Sequence, residues 1–231
     1  MDAAPVTDVN MIEPVPKNGI YHVAAGETLY SIAWRYGVDY RELAQRNHLT
    51  RPYTVKAGQL IYLTSSSPTP KTKSITPQFL NSTPPAIVVS THPANKHASV
   101  TPPDQEPHHS ISFWGWPAQG RIVDAFSSIN KGINIAGYVG SPIFAAAAGK
   151  IVYSGHGLRG YGNLIIIKHN SKFLSAYAHN KKILVKEGDW VTNGQKIAEM
   201  GNTGAHRTLL HFEIRRNGQP VNPLIYLTHK V

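Results

Sequence analysis

Apolar positions recur with two different periods along this chain, and the change of period divides it. Leu29, Ile32, Ala33 and Tyr36 are spaced as one face of a helix. Thr28 stands where such a helix needs an N-cap, and Gly37 where it needs a stop. "DYRELAQRN" predicts a second short helix, with Leu43 and Ala44 inward and Asn47 at its end. "IYHV" before and "QLIYL" after read as strands, so the unit is β-α-α-β, with the strands adjacent and the helices on one face. From Trp116 the pattern changes to short strands: "GKIVYSG", "GNLIIIKH", "FLSAYAHN", "KILVKEGDWV", "QKIAEMG" and "LLHFEIRRNGQPV". Gly, Asn and Asp turns separate them, including Asn193-Gly194 and Asn217-Gly218. No long helix is predicted there. We expect a mainly β C-terminal domain, an antiparallel sandwich or barrel-like core, beside a small α+β domain.

Composition changes between the two units. Residues 65–110 hold nine prolines and fourteen Ser/Thr, which remove backbone donors and offer no core. This segment reads as a disordered linker between domains at 18–64 and 111–231. As a flexible chain it would span roughly 35–40 Å. Charge is shared unevenly. Residues 1–64 hold six basic and six acidic side chains, and residues 111–231 hold fourteen and five. The net +10 of the 231-residue chain therefore sits almost wholly on its C-terminal part, where an acidic partner would bind. The absence of cysteine excludes disulfides and Cys-based zinc sites. "MDAAPVTDVNMIEPVPKNG" lacks the basic and apolar regions of a signal peptide, so the reading is a cytosolic protein or a mature exported form.

One stretch raises a chemical question. In "INKGINIAG", Asn130, Gly132 and Asn134 would share one face of a strand, because side chains alternate with period two. Two neutral amides beside a β-branched run are an odd choice for such a face.

The N-terminal unit resembles a LysM module. Tyr21 and Val23, Gly26-Glu27-Thr28-Leu29, Ser31-Ile32-Ala33, Leu43, Asn47, Pro52 and Gly58-Gln59-Leu60 fall in register, with Glu27 where the family usually has Asp. The resemblance implies binding of N-acetylglucosamine-containing glycans such as peptidoglycan. The implied groove lies between Gly26, Glu27, Thr28, Leu29 and Tyr30 on one loop and Asn47, Leu49, Pro52 and Tyr53 on the other. For Leu29, as for Ile32 and Leu43, the reading we hold is a plain core role.

From Trp116 to Leu227 the chain resembles the LytM, or lysostaphin-type, zinc peptidase domain. The resemblance rests on "GINIAG", "IFAAAAGKIVYSG", "GYGNLIIIKH", "YAHN", "EGDWVTNGQKIAEMGNTG" and "LHFEI". Active members use H-x-G-x-D, H-x-H and a Y-x-H segment. Gly132 sets the register, so Asn130 occupies the first His position and Asn134 the Asp position. Leu209 replaces the first His of H-x-H, His211 keeps the second, and Tyr177-Ala178-His179 keeps the remaining one. Zinc sites are built from Cys, His, Asp and Glu, and a leucine can neither bind metal nor move a proton. We therefore expect no cofactor, no metal and no peptidase activity. His179 and His211 would be packing residues, hydrogen-bonded to each other.

The combination is similar to the NlpD-type amidase activators. That resemblance implies a periplasmic, outer-membrane lipoprotein whose partners are peptidoglycan and a zinc-dependent N-acetylmuramoyl-L-alanine amidase at the division septum. The former substrate groove would receive a helix of the amidase. Leu209 would give apolar contact, Asn130 and Asn134 neutral hydrogen bonds, and Leu158, Arg159 and Tyr161 a groove wall. Two alternatives stay open: a peptidoglycan-binding adaptor with no activator role, and a zinc endopeptidase with an altered site.

Overall fold

The computed structural model describes residues 13–64, 111 and 113–228. The expected linker at 65–110 and the N-terminal stretch read for a signal peptide lie outside the described residues, save the last few of the latter. The first unit runs β1 (Ile20–His22), α1 (Leu29–Tyr36), α2 (Tyr40–Arg46) and β2 (Leu60–Tyr62), with β1 and β2 paired antiparallel. Local chemistry fixes both helices. Thr28 Oγ1 accepts from Ser31 N, and Ser31 Oγ accepts from Thr28 N, so two otherwise orphaned donors are satisfied reciprocally. Gly37, at φ 63°, closes α1 in the left-handed conformation that glycine adopts without steric cost. Asp39 caps α2 by accepting from Arg41 N.

The second unit contains β3 (Ile122–Asp124), β4 (Ile133–Ala136), β5 (Pro142–Phe144), β6 (Gly149–Gly155), β7 (Leu164–Lys168), β8 (Phe173–Ala178) and β9 (Asn180–Ile183). β10 (Trp190–Val191), β11 (Lys196–Met200), β12 (Leu209–Arg216) and β13 (Gln219–Val221) complete it. Eight strands form one sheet in the order β10-β6-β7-β8-β12-β4-β3, with β13 also on β12. A three-stranded sheet, β5-β11-β9, stacks on it. All the strand pairs are antiparallel. The sandwich expectation holds; the barrel does not, since the large sheet keeps β10 and β3 as open ends.

The large sheet buries both faces. Ile133, Ile135, Ile165, Ile167, Phe212 and Ile214 face Ile143, Ile197 and Ala198 of the small sheet. The opposite face carries Val152, Leu164, Ile166, Leu174, Ala176 and Ala178, and packs in a single cluster with Leu29, Ile32, Trp34 and Leu43 of the first unit. The small α/β unit thus lies directly on the large sheet. Thr28 Oγ1 donates to Val152 O at 3.1 Å, Arg35 Nη2 to Gly157 O at 3.1 Å and Gln219 Nε2 to Gly37 O at 3.1 Å.

His169 sits buried where β7 ends. Its Nδ1–H donates to Ala148 O at 2.8 Å, Nε2 lies 2.7 Å from Ser175 Oγ, and Trp114 meets the ring edge-on. Burial pushes its pKa down to about 4, only partly offset by the Ala148 carbonyl. The unfolded chain, with an ordinary imidazole near 6.5, takes up the proton first. Stability is therefore fully present above about pH 6.5 and is lost as pH falls toward 4, by roughly 3 kcal/mol at most from this residue. Urea unfolding from pH 7.5 to 4 should show this decline, and His169→Gln should flatten part of it. Parallel pH profiles for parent and variant would refute the assignment.

Candidate functional site

β12 builds the site by alternation. Leu210, Phe212 and Ile214 point into the core between the sheets, so Leu209, His211, Glu213 and Arg215 share the other face. That face is covered: Glu213 is fully buried, and Arg215 and His211 are 1% exposed.

Arg215 is bound on every side. Nε donates to Glu213 Oε2 at 2.9 Å, Nη1 to the Trp34 carbonyl at 2.7 Å and Nη2 to the Tyr161 hydroxyl at 3.3 Å. Its guanidinium carbon lies 3.7 Å from the Trp34 ring centroid, a stacked cation–π contact worth ~2 kcal/mol when desolvated. Trp34 Nε1 donates to Tyr161 Oη at 3.0 Å, and Tyr161 donates to Glu213 Oε1 at 2.7 Å. Burial pushes the Glu213 carboxyl up. The Arg215 guanidinium, His211 and the Tyr161 hydroxyl outweigh burial and hold it below the usual carboxylate range. Burial and the Glu213 charge push the Tyr161 phenol well up, so it stays a donor.

The network continues to the face that carries the sequence candidates. His211 Nε2 lies 3.2 Å from Glu213 Oε1, and its Nδ1–H donates to Asn134 Oδ1 at 2.7 Å. His211 and Asn134 are register partners across β12 and β4. Asn134 Nδ2 donates to Asp124 Oδ2 at 2.9 Å, which also takes Arg207 Nη2 at 2.5 Å. Both nitrogens of His211 and both ends of the Asn134 amide are thus engaged by protein groups.

Asn130 departs from the expected strand face. β4 begins only at Ile133, and Lys131 is left-handed at φ 57°. Asn130 lies in the preceding turn, where Nδ2 donates to Ala125 O at 3.0 Å and Gly132 O at 2.8 Å. His179 follows β8 at φ 65°, its Nδ1–H donating to Thr203 O at 2.8 Å; burial lowers its pKa to about 4. Its ring stands 6.2 Å from that of His211, and each imidazole has its own partners rather than the other. Tyr177 belongs elsewhere. It points into the core between the sheets, accepting from Ala146 N at 2.8 Å, with its phenol pushed up to about 12 by burial. Leu158 and Tyr161 are buried under the first unit rather than forming an open wall, and Leu209 is 5% exposed. Arg159 of that loop is exposed to solvent, as are His156 and Gly157. Neutral amides and a leucine at these positions supply neither the charge nor the nitrogens of a zinc site. Among the described residues no three His, Asp or Glu side chains converge as a metal site would require.

The glycan candidates divide similarly. Leu29 is a core residue. Asn47 spends its side chain on the Leu43 and Tyr62 carbonyls and on Tyr62 N. Glu27 accepts from Tyr21 Oη and Ala24 N and pairs with Arg35 at 2.6 Å. Leu49 packs against the core. Gly26, Glu27, Thr28, Tyr30, Pro52 and Tyr53 do line one cleft, of about 420 Å³. Its other side belongs to the large sheet: Lys150, Ile151, Val152, Lys168, His169, Glu187, Gly188 and Trp190. Sequence reasoning missed Trp34, Glu213 and Arg215, and the sheet side of this cleft. The signal available was "HFEIRR", whose polar alternation reads as a solvent face unless a second unit covers it.

The LysM domain model matches residues 21–64, and the peptidase family M23 model matches residues 128–223. The lipoprotein NlpD/LppB homolog of Pseudomonas aeruginosa is 45% identical over 92% of this chain and 78% of its own length. The chain belongs to the NlpD family. The murein hydrolase activator NlpD of Salmonella typhimurium is 43% identical over 91% of this chain and 68% of its own. Among solved structures, the catalytic domain of lysostaphin from Staphylococcus simulans aligns with 28% identity, covering 48% of this chain and 88% of that one, with a TM-score of 0.41.

The buried pair yields a sharp expectation for this NlpD family member. Arg215→Ala leaves Glu213 charged and unpaired, and should cost about 3–5 kcal/mol. Glu213→Leu combined with Arg215→Met removes both charges and should cost clearly less. Urea unfolding followed by Trp34-sensitive fluorescence decides this; equal losses in the single and double variants would refute the pairing.

Proposed function

We propose that this chain is a non-catalytic activator of a zinc-dependent N-acetylmuramoyl-L-alanine amidase, held at peptidoglycan by its LysM module. The reading places it in the periplasm as an outer-membrane lipoprotein working at septal wall splitting. The observation that carries it is the His211–Asn134 hydrogen bond, made by an amide at the position to which the resemblance assigns a metal-binding carboxylate. A relative's name, murein hydrolase activator, supports the same reading. A hydrolase-like face without metal chemistry has a use as a docking surface.

The docking rim differs from the one expected from sequence. Leu209, Leu158 and Tyr161 are covered, so they give a partner helix no contact area. The accessible groups are Arg159, Arg207 and the β4–β5 loop, where Tyr138 is 85% and Val139 57% exposed. The Arg159 and Arg207 loops touch where Asn163 N donates to Thr203 Oγ1. Two exposed cations and an exposed aromatic on these loops suit an amphipathic helix with acidic side chains. Val139 and Tyr138 replace Leu209 as the apolar contact.

Dye release from labelled peptidoglycan by the cognate amidase tests this. The chain alone should release no dye and should stimulate the amidase. Arg159→Glu with Tyr138→Ala should lower stimulation at least about tenfold, as expected for loss of an aromatic anchor and a steering charge. Undiminished stimulation by that folded variant would sink the rim assignment. Wall binding with no effect on the amidase would favour the adaptor reading.

A further inference from the structure

We propose that the glycan site of the LysM module is completed by the large sheet, and that the composite cleft selects peptidoglycan strands carrying stem peptides over bare N-acetylglucosamine chains. The proposal rests on the reading of the LysM loops as glycan-binding and adds what the second unit contributes.

The cleft has an aromatic side from the LysM loops. Tyr30 and Tyr53 line it, and both stack edge-on or tilted against Tyr40, with Tyr30–Tyr40 centroids 4.7 Å and Tyr40–Tyr53 centroids 6.0 Å apart. Flat apolar surfaces of this kind suit the faces of sugar rings. The sheet side presents another. Trp190 is 55% exposed and stands at the end of the large sheet on β10. Its register partner on β6 is Lys150, so indole and ammonium are side by side on one face. A volume of about 420 Å³ falls within the range of small-ligand sites, roughly 300–1,000 Å³.

Charge chooses the ligand. Of the two carboxylates lining the cleft, Glu27 is paired with Arg35. Glu187 lies beside Lys150; burial raises its pKa, and Lys150 only partly offsets this. Arg51 and the buried Lys168 are the other cations of the lining, the Lys168 ammonium 5.6 Å from the Tyr40 ring centroid. Three cations against two carboxylates leave the lining with a net charge of +1, and bare N-acetylglucosamine carries no charge to answer it. The carboxylates of a stem peptide do. With the sugar against Tyr53 and Trp190, a peptide branching from it meets Lys150, the neighbour of Trp190 on the same face.

The two sides are held in fixed relation. Thr28, the cap of α1 and a cleft residue, donates to the Val152 carbonyl of β6, itself a cleft residue. The cleft is therefore a property of the docked pair of units.

The test is binding of the full chain to two probes, chitotetraose and the disaccharide-tetrapeptide muropeptide, at low and moderate salt. The parent should prefer the muropeptide, and the preference should shrink with salt as the charges are screened. Trp190→Ala should weaken both probes at least about fivefold, with Trp190→Phe restoring most of the loss. Lys150→Glu should weaken the muropeptide about tenfold and change chitotetraose less than twofold. Unchanged melting temperatures show that these exposed positions do not act through folding. If Tyr53→Ala abolishes binding while both sheet-side variants bind as the parent, the composite cleft is wrong and the LysM reading stands. If Tyr53→Ala also binds as the parent, or the parent binds neither probe, both readings fall. Equal parental affinity for the two probes overturns the selectivity.

Discussion

The polar face of β12 is the constraint on which the rest of the structure depends. Glu213 and Arg215 are buried against a second folding unit, where isolated charges would cost several kcal/mol each. The cost is met by saturation. Arg215 reaches Glu213, the Trp34 carbonyl, the Tyr161 hydroxyl and the Trp34 ring, and Glu213 accepts from Arg215 and Tyr161 while facing His211. Trp34, in α1 of the LysM module, supplies two of those contacts. The module therefore docks in one orientation, because a buried ion pair tolerates little error in the groups that complete it. Apolar packing around Leu29, Ile32 and Leu164 supplies area, which is non-directional; the polar network supplies the register.

Much of this fold was legible because local chemistry and periodicity agree. The Thr28 cap, the Gly37 stop and the Leu29-Ile32-Ala33-Tyr36 stripe describe α1 as it stands. The strands after Trp116 follow their alternation and turn residues. What periodicity does not carry is what lies over a face. "LLHFEIRR" states that His211, Glu213 and Arg215 share a side, but alternation with polar residues is the same whether water or another unit covers them. The same blindness affected Leu158 and Tyr161, expected on an open wall and found beneath the LysM module.

Two errors had local causes. Its spacing from Asn134 predicts Asn130 on a strand, yet Lys131 turns left-handed and breaks the alternation before β4 begins. Asn side chains readily take backbone partners in turns, and Asn130 does so with two carbonyls. Tyr177 enters the expected site with His179 as the Y-x-H segment of the resemblance, and the two side chains part in the structure. β8 ends at Ala178, and the positive φ of His179 swings its ring to the face opposite Tyr177.

The amide at Asn134 shows how this face of the sheet stays ordered on hydrogen bonds. A carboxylate at this position, 2.7 Å from an imidazole and 2.9 Å from Asp124, would set two negative charges against each other. The neutral amide has one donor end and one acceptor end, and the site uses each once: Nδ2 to Asp124 and Oδ1 to His211. His211 then reaches Glu213, so a continuous chain of polar contacts runs from the exposed Arg207 to Trp34 in the LysM module. Tilting the module off the sheet breaks the Trp34 contacts first, and Glu213 loses the geometry of its two main donors. His211 is held by that same carboxylate. The exposed rim at Arg207 and the face that seats the LysM module are thus opposite ends of one network, and the energy that orders the first is not separable from the energy that seats the second.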